Sequence, residues 1–143
     1  MAVAAVPLTS ASTAEAQRCT RAEWTASGDL AGREPIDPSA LTDEERVHVP
    51  VVTLPHRVHA GRPFDLVVQI GVLPHEQRGE HRIDWIEVAL DERRVMVADL
   101  SADVAFPILR VPIVLAAAAT LSVRARCTQH GVWLTRRPLT VEA

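Results

Sequence analysis

The stretch from residue 64 to 72 limits the possible folds more than any other part of this chain. Phe64, Leu66, Val68, Ile70 and Val72 alternate with Asp65, Val67, Gln69 and Gly71. Successive strand side chains point to opposite faces, so a period of two predicts a half-buried strand. Related runs recur. Val47 to Leu54 is β-branched and broken by Pro50. Ile83 to Leu90 reads as a strand, Asp91-Glu92-Arg93-Arg94 as its turn, and Val95 to Ala98 as the return. Val104 to Leu109 reads as a further strand, which Pro107 assigns to a sheet edge. Val111 to Leu115 adds another. In Leu121 to Cys127, Val123, Ala125 and Cys127 share one face, and Ser122, Arg124 and Arg126 share a solvated one. Ala116 to Ala119 has helix propensity but is too short to stand alone, so a turn or strand end is expected. Many short strands with frequent turn signals predict an all-β, immunoglobulin-like β-sandwich.

The 143 residues suit one such domain, and no repeat divides them. The sandwich is expected over residues 45–143, after an irregular segment of residues 1–44 in which Trp24 is an anchor. The first residues are rich in Ala, Ser and Thr, and Ala14-Glu15-Ala16 has the small-x-small form of an export cleavage site. Two expectations follow: a truncated export signal ending near Ala16, hence a periplasmic or exported protein, or a plain tail on a cytoplasmic one. No run reaches the roughly 20 apolar residues of a membrane span. A net charge of -3 argues against a nucleic-acid partner. An aromatic content of 3%, with no Tyr, argues against a base-stacking surface.

Four of the six histidines fall at strand ends or in loops, where a rigid scaffold can make ligands converge. His48 lies in His48-Val49-Pro50. His75 and His81 bracket Glu76-Gln77-Arg78-Gly79-Glu80. His130 follows Cys127 in Cys127-Thr128-Gln129-His130-Gly131-Val132-Trp133. A Cys-x-x-His spacing lets a thiolate and an imidazole from one turn reach one metal. His56 and His59 fall in another turn and are expected to be solvated. Trp85 and Trp133 are expected to pack around the site.

These segments, taken in order, resemble the superoxide reductase family, the neelaredoxin and desulfoferrodoxin iron proteins. The resemblance spans roughly residues 45 to 135. It rests on His48-Val49-Pro50, on Pro74-His75 followed by His81-Arg82-Ile83-Asp84-Trp85-Ile86, and on Cys127, His130, Gly131 and Trp133. It implies one iron (Fe2+/Fe3+) per chain, held by His48, His75, His81, His130 and Cys127. The histidines would lie in a plane with the cysteine axial and the sixth position open. It further implies one-electron reduction of superoxide to hydrogen peroxide. The electron would come from an external donor, such as a rubredoxin-like carrier, and family members often form homo-oligomers. Some members carry a second iron domain with four cysteines; Cys19 alone cannot build one, so the single-iron form is expected.

One departure concerns the open face. In much of the family a Glu and then a Lys directly precede the first histidine; the lysine attracts superoxide and the glutamate caps ferric iron. Here those positions hold Arg46 and Val47, and Glu45 is displaced by one residue. Glu45 and Arg46 are the candidates for these roles, with Arg78 and Arg82 as rivals for steering. Three other readings compete. A non-catalytic iron-binding or partner-binding sandwich would explain the missing lysine. A blue-copper-like electron carrier needs a weak axial Met, and none follows Cys127. A structural zinc site closes at four ligands, whereas five candidates are present.

Overall fold

The computed structural model describes residues 31–100 and 105–143. One short helix, α1 (Asp43–His48), precedes seven strands: β1 (Pro50–Thr53), β2 (Pro63–Ile70), β3 (Ile83–Leu90), β4 (Arg93–Asp99), β5 (Ile108–Val114), β6 (Ala119–Cys127) and β7 (Gly131–Leu139). They form two antiparallel sheets, ordered β1-β2-β5 and β4-β3-β6-β7. The expected β-sandwich is therefore present. Its core draws Leu66, Val68, Ile70, Val111 and Ile113 from one sheet. The other sheet supplies Ile83, Ile86, Val88, Leu121, Val123, Ala125 and Cys127. The alternation in β2 and the shared face of Val123, Ala125 and Cys127 thus point inward, as their periodicity requires. Among the described residues no helix is long and apolar enough to cross a membrane. Trp24, Cys19 and the Ala14-Glu15-Ala16 signal lie outside the described residues.

Four local expectations need correction. Residues 43–48 are helical, although Val47 begins a β-branched run. A capping box outweighs that propensity: the Thr42 side chain accepts from the Glu45 N–H, and Glu45 accepts from the Thr42 N–H. Pro50 cannot continue the helix and instead opens β1, a place where proline is tolerated. Among the described residues, Val104 itself lying outside them, the segments Val104 to Leu109 and Val111 to Leu115 do not form two strands. A single strand runs from Ile108 to Val114 and carries Pro112. It is an edge strand, which accommodates a residue without an N–H. The third adds a strand to those expected: β7 pairs along the whole of β6 from Cys127↔Gly131 to Ala119↔Leu139.

The fourth concerns Arg124 and Arg126, which are ion-paired rather than simply solvated. Arg124 meets Glu87 at 3.2 Å, and Glu87 is also bonded to Arg94; Arg126 meets Asp84 at 2.8 Å. Burial raises the Asp84 carboxyl from its ordinary value, and Arg126 opposes that rise. Elsewhere the turn between β3 and β4 is tighter than expected. Asp91 and Glu92 both take positive φ, at 45° and 61°, in the manner of a two-residue hairpin turn. His56 is exposed and His59 half-buried.

Candidate metal centre

One end of the sandwich gathers the C-terminus of α1, the end of β2, the start of β3 and the β6–β7 turn. The pairs Pro50↔Ile70, Ile83↔Cys127 and Cys127↔Gly131 fix these ends side by side. Each ligand candidate is delivered by one of them. His48 is the last residue of α1 and is buried. His75 follows β2, where its N–H donates to the Ile70 carbonyl at 3.2 Å. Gly71 makes this sharp exit possible: its φ is +85°, and a Cβ there would lie 2.2 Å from the Leu73 carbonyl oxygen and 2.7 Å from that of Val47. Cys127 ends β6 with no exposed surface. His130 sits in the three-residue turn that follows, and Gly131 closes that turn at φ +77°.

The His75–His81 loop is pinned from both sides. The Gln77 amide donates to the Ile83 carbonyl at 2.9 Å and accepts from the Ile83 N–H at 2.6 Å. Thr128, from the Cys127–His130 turn, accepts from the Arg82 N–H at 3.2 Å and donates to the Glu80 carbonyl. The two ligand-bearing loops are therefore one hydrogen-bonded unit.

The four imidazoles form a closed square. Ring centroids are 4.7 Å apart for His48–His75, 4.7 Å for His75–His81, 5.0 Å for His81–His130 and 4.7 Å for His130–His48. The His48–His81 diagonal is 6.2 Å. Neighbouring rings are turned edge to face, at 66° to 79°, like vanes round a common centre. His48, His81, Cys127 and His130 each offer one ligand atom, and these atoms lie within 4.8 Å of one another. His75 joins them through its Nε2, 3.2 Å from Nε2 of His48. Cys127 Sγ lies 3.4 Å from His130 Nδ1 and is a free thiol. All five expected ligands are thus brought together.

The tautomers are set from outside the square. His48 Nδ1–H donates to the Glu44 carbonyl at 2.7 Å, and His75 Nδ1–H to the Glu76 carbonyl at 2.5 Å. His81 Nδ1 meets the Glu76 carboxylate at 3.2 Å. In each case the outer nitrogen holds the proton, so Nε2 turns a lone pair inward. His81 Nε2 is buried and has no hydrogen-bond partner among the described residues. A buried acceptor is rarely left unsatisfied, and a metal ion would satisfy it. Burial pulls the His75 imidazole down to about 4 and also lowers that of His48, so both are neutral at neutral pH. Three inward Nε2 atoms, one Nδ1 and one thiol sulfur fit a single transition-metal ion, and the thiolate excludes the hard, oxygen-seeking cations.

Trp133 packs against the square, stacked on His48 at 5.1 Å and 14°. Its outer face carries the Arg33 guanidinium, 4.1 Å from the ring centroid. Arg33 also donates to the His130 carbonyl, meets Glu44 at 3.5 Å and pairs with β7 as a bridge to Trp133. Nothing in the spacing of Arg33 pointed to the site, because a cation over an indole has no sequence period. Glu45 has a different task from the iron-capping role expected of it. Its carboxylate accepts from the Thr42 N–H at 2.8 Å and the Ile36 N–H at 3.0 Å, and these bonds hold its pKa below the usual carboxylate range. Arg46 and Arg78 are exposed. Arg82 donates to the Gly79 carbonyl at 2.7 Å.

The desulfoferrodoxin family model matches residues 40–136 of this chain, which include all five converging residues. The chain belongs to the desulfoferrodoxin family. A relative from Methanocaldococcus jannaschii, named "Putative superoxide reductase", is 27% identical over 107 residues, or 71% of this chain and 89% of the relative. The solved superoxide reductase (neelaredoxin) of Ignicoccus hospitalis is 27% identical, with a TM-score of 0.61 over 66% of this chain and 81% of its own. A reduced variant of the Archaeoglobus fulgidus superoxide reductase (neelaredoxin) has a TM-score of 0.62 at 23% identity, over 72% and 96% of the two chains. That last likeness shows the fold alone. Arg33 lies outside the matched segment.

Proposed function

We propose that this chain is a superoxide reductase holding one iron between His48, His75, His81, His130 and Cys127. The observation that carries the reading is the square of four imidazoles with a buried thiol at 3.4 Å from one of them. Bound iron would supply the one electron that superoxide accepts, the reaction consuming two protons and yielding hydrogen peroxide. An external donor, proposed to be a rubredoxin-like carrier, restores the electron.

The protein's own groups do the rest. Cys127, once deprotonated, would hold the iron together with the imidazoles, and its thiolate would donate electron density to the metal. Its burial keeps water and oxidants from the sulfur. Glu44 and Glu76 hold the outer protons of His48, His75 and His81, which keeps three lone pairs aimed at one point. Arg46 is the proposed steering cation, because a fixed positive charge beside the site raises the encounter rate of a small anion. A guanidinium does not give up its proton at working pH, so the protons of the product come from water.

The test is the yield of the reaction. Iron-loaded, reduced protein is mixed with superoxide, and peroxide and dioxygen are measured together. One peroxide per superoxide without dioxygen supports the proposal. One dioxygen for every two superoxides would identify dismutation instead. A second reading, a non-catalytic iron-binding relative, draws on Val47 at the family's lysine position. It predicts no superoxide consumption beyond that of the iron-free chain.

A further inference from the structure

Glu76 occupies an unusual place beside the square. Its backbone carbonyl accepts from His75 Nδ1, and its carboxylate meets His81 Nδ1 at 3.2 Å. One residue therefore touches the outer edges of two adjacent ligands. The two contacts differ in kind. His48 and His75 are oriented by backbone carbonyls, which no substitution at those positions removes. His81 alone among these three is oriented by a side chain, and that side chain carries charge.

His81 also needs orienting more than the other two. His48 and His75 are nearly inaccessible, whereas the His81 side chain keeps 26% of its surface exposed. Packing alone does not lock a partly exposed imidazole, which has two tautomers and two ring orientations to choose between. Only one combination leaves a lone pair on the buried, unpartnered Nε2. The Glu76 backbone holds its position without help from the carboxylate, because Gln77 and Thr128 pin the loop on both sides.

We propose that Glu76 is a positioning residue whose carboxylate fixes the tautomer and orientation of His81, and so sets the tightness and the reduction potential of the metal centre. This rests on the metal-centre reading above. The carboxylate strengthens His81 as a donor through the proton they share. A stronger donor favours the more positive, oxidised metal, so the carboxylate lowers the potential. Both partners are accessible to water, and a merely solvated surface pair would do neither.

The test loads the full chain with ferrous iron. It measures iron release to a chelator and the reduction potential by spectroscopic titration, for the wild type, Glu76→Ala, Glu76→Gln and Glu80→Gln. Glu76→Ala removes the acceptor and should speed iron release about 10- to 100-fold. Glu76→Gln keeps a carbonyl acceptor but no charge. It should hold iron nearly as well as the wild type, with a raised potential. Glu80→Gln removes a charge from the same loop and should change neither quantity to that extent. Thermal unfolding of the metal-free variants should match the wild type, since the loop anchors remain. Unchanged release and potential in both Glu76 variants would overturn the proposal. So would a potential shift in Glu80→Gln as large as in Glu76→Gln, because the effect would then be a general field. A wild-type chain that binds no iron would instead overturn the metal-centre reading itself, and this proposal with it.

Discussion

Gly71 links the fold to the metal centre, and replacing it gives the sharpest structural prediction. Its φ of +85° lies in the left-handed region, where an L side chain costs about 1–2 kcal/mol. Its absent Cβ would also fall 2.2 Å from the Leu73 carbonyl oxygen and 2.7 Å and 2.8 Å from the Val47 carbonyl oxygen and carbon. These are backbone atoms of the turn that carries His75 and of the helix that carries His48, so no rotamer change relieves the contact. Overpacking of this kind costs a further 1–3 kcal/mol, roughly. Gly71→Ala should therefore lower stability by about 2–5 kcal/mol. Gly61 is the control, because its φ is +70° but nothing lies within 4 Å of its Cβ position. Gly61→Ala should lose only the backbone term, about 1–2 kcal/mol. The assay is urea unfolding of the metal-free chains, with midpoint and slope compared. Iron affinity should fall as well in Gly71→Ala, because the clash pushes apart two residues whose Nε2 atoms are 3.2 Å from each other. Equal stability losses at the two glycines would refute the argument.

Three other outcomes are expected. The metal-free chain should lose stability as pH falls from about 6.5 towards about 4, because the unfolded state takes up a proton at His75 over that window and the folded state does not. Urea midpoints at both ends of the window, with His75→Gln as the variant that should flatten the dependence, check it. Arg46→Ala should slow the second-order reaction with superoxide and weaken its salt dependence while leaving the iron spectrum unchanged; an unmoved rate would transfer the question to Arg78 and Arg82. Arg33→Ala should lower thermal stability by about 0.5–1 kcal/mol through the lost contact with Trp133, and Arg33→Leu should not restore it, since the attraction needs the cation.

The sequence made some parts of this molecule legible and hid others for identifiable reasons. The alternation in β2 and the inward face of β6 were readable because one-sided burial leaves a period of two. The five converging residues were readable because three short motifs carry them at fixed spacing. The helix at Asp43–His48 was hidden by the β-branched neighbours Val47 and Val49, although Thr42 and Glu45 spell out its capping box. The strand Gly131–Leu139 was obscured by Arg136, Arg137 and Pro138, which interrupt its apolar pattern on the exposed side. Roles that depend on convergence from distant segments leave no local signal. Arg33 on Trp133 spans a hundred residues of chain, and the contact between Glu76 and His81 depends on how the loop closes. Glu45 shows the opposite hazard: its place beside a ligand suggested chemistry, but the helix start takes its carboxylate.

Whether the chain holds a single iron with Cys127 as a thiolate ligand is tested by an absorption titration. Metal-free protein is titrated with ferrous iron and oxidised, and its visible spectrum is recorded at each step. A thiolate-to-iron band should saturate at about one iron per chain, vanish on reduction, survive Cys19→Ser and disappear in Cys127→Ser. A colourless wild-type chain that takes up zinc in preference to iron under iron-replete conditions, or equal loss of the band in the two cysteine variants, would contradict it.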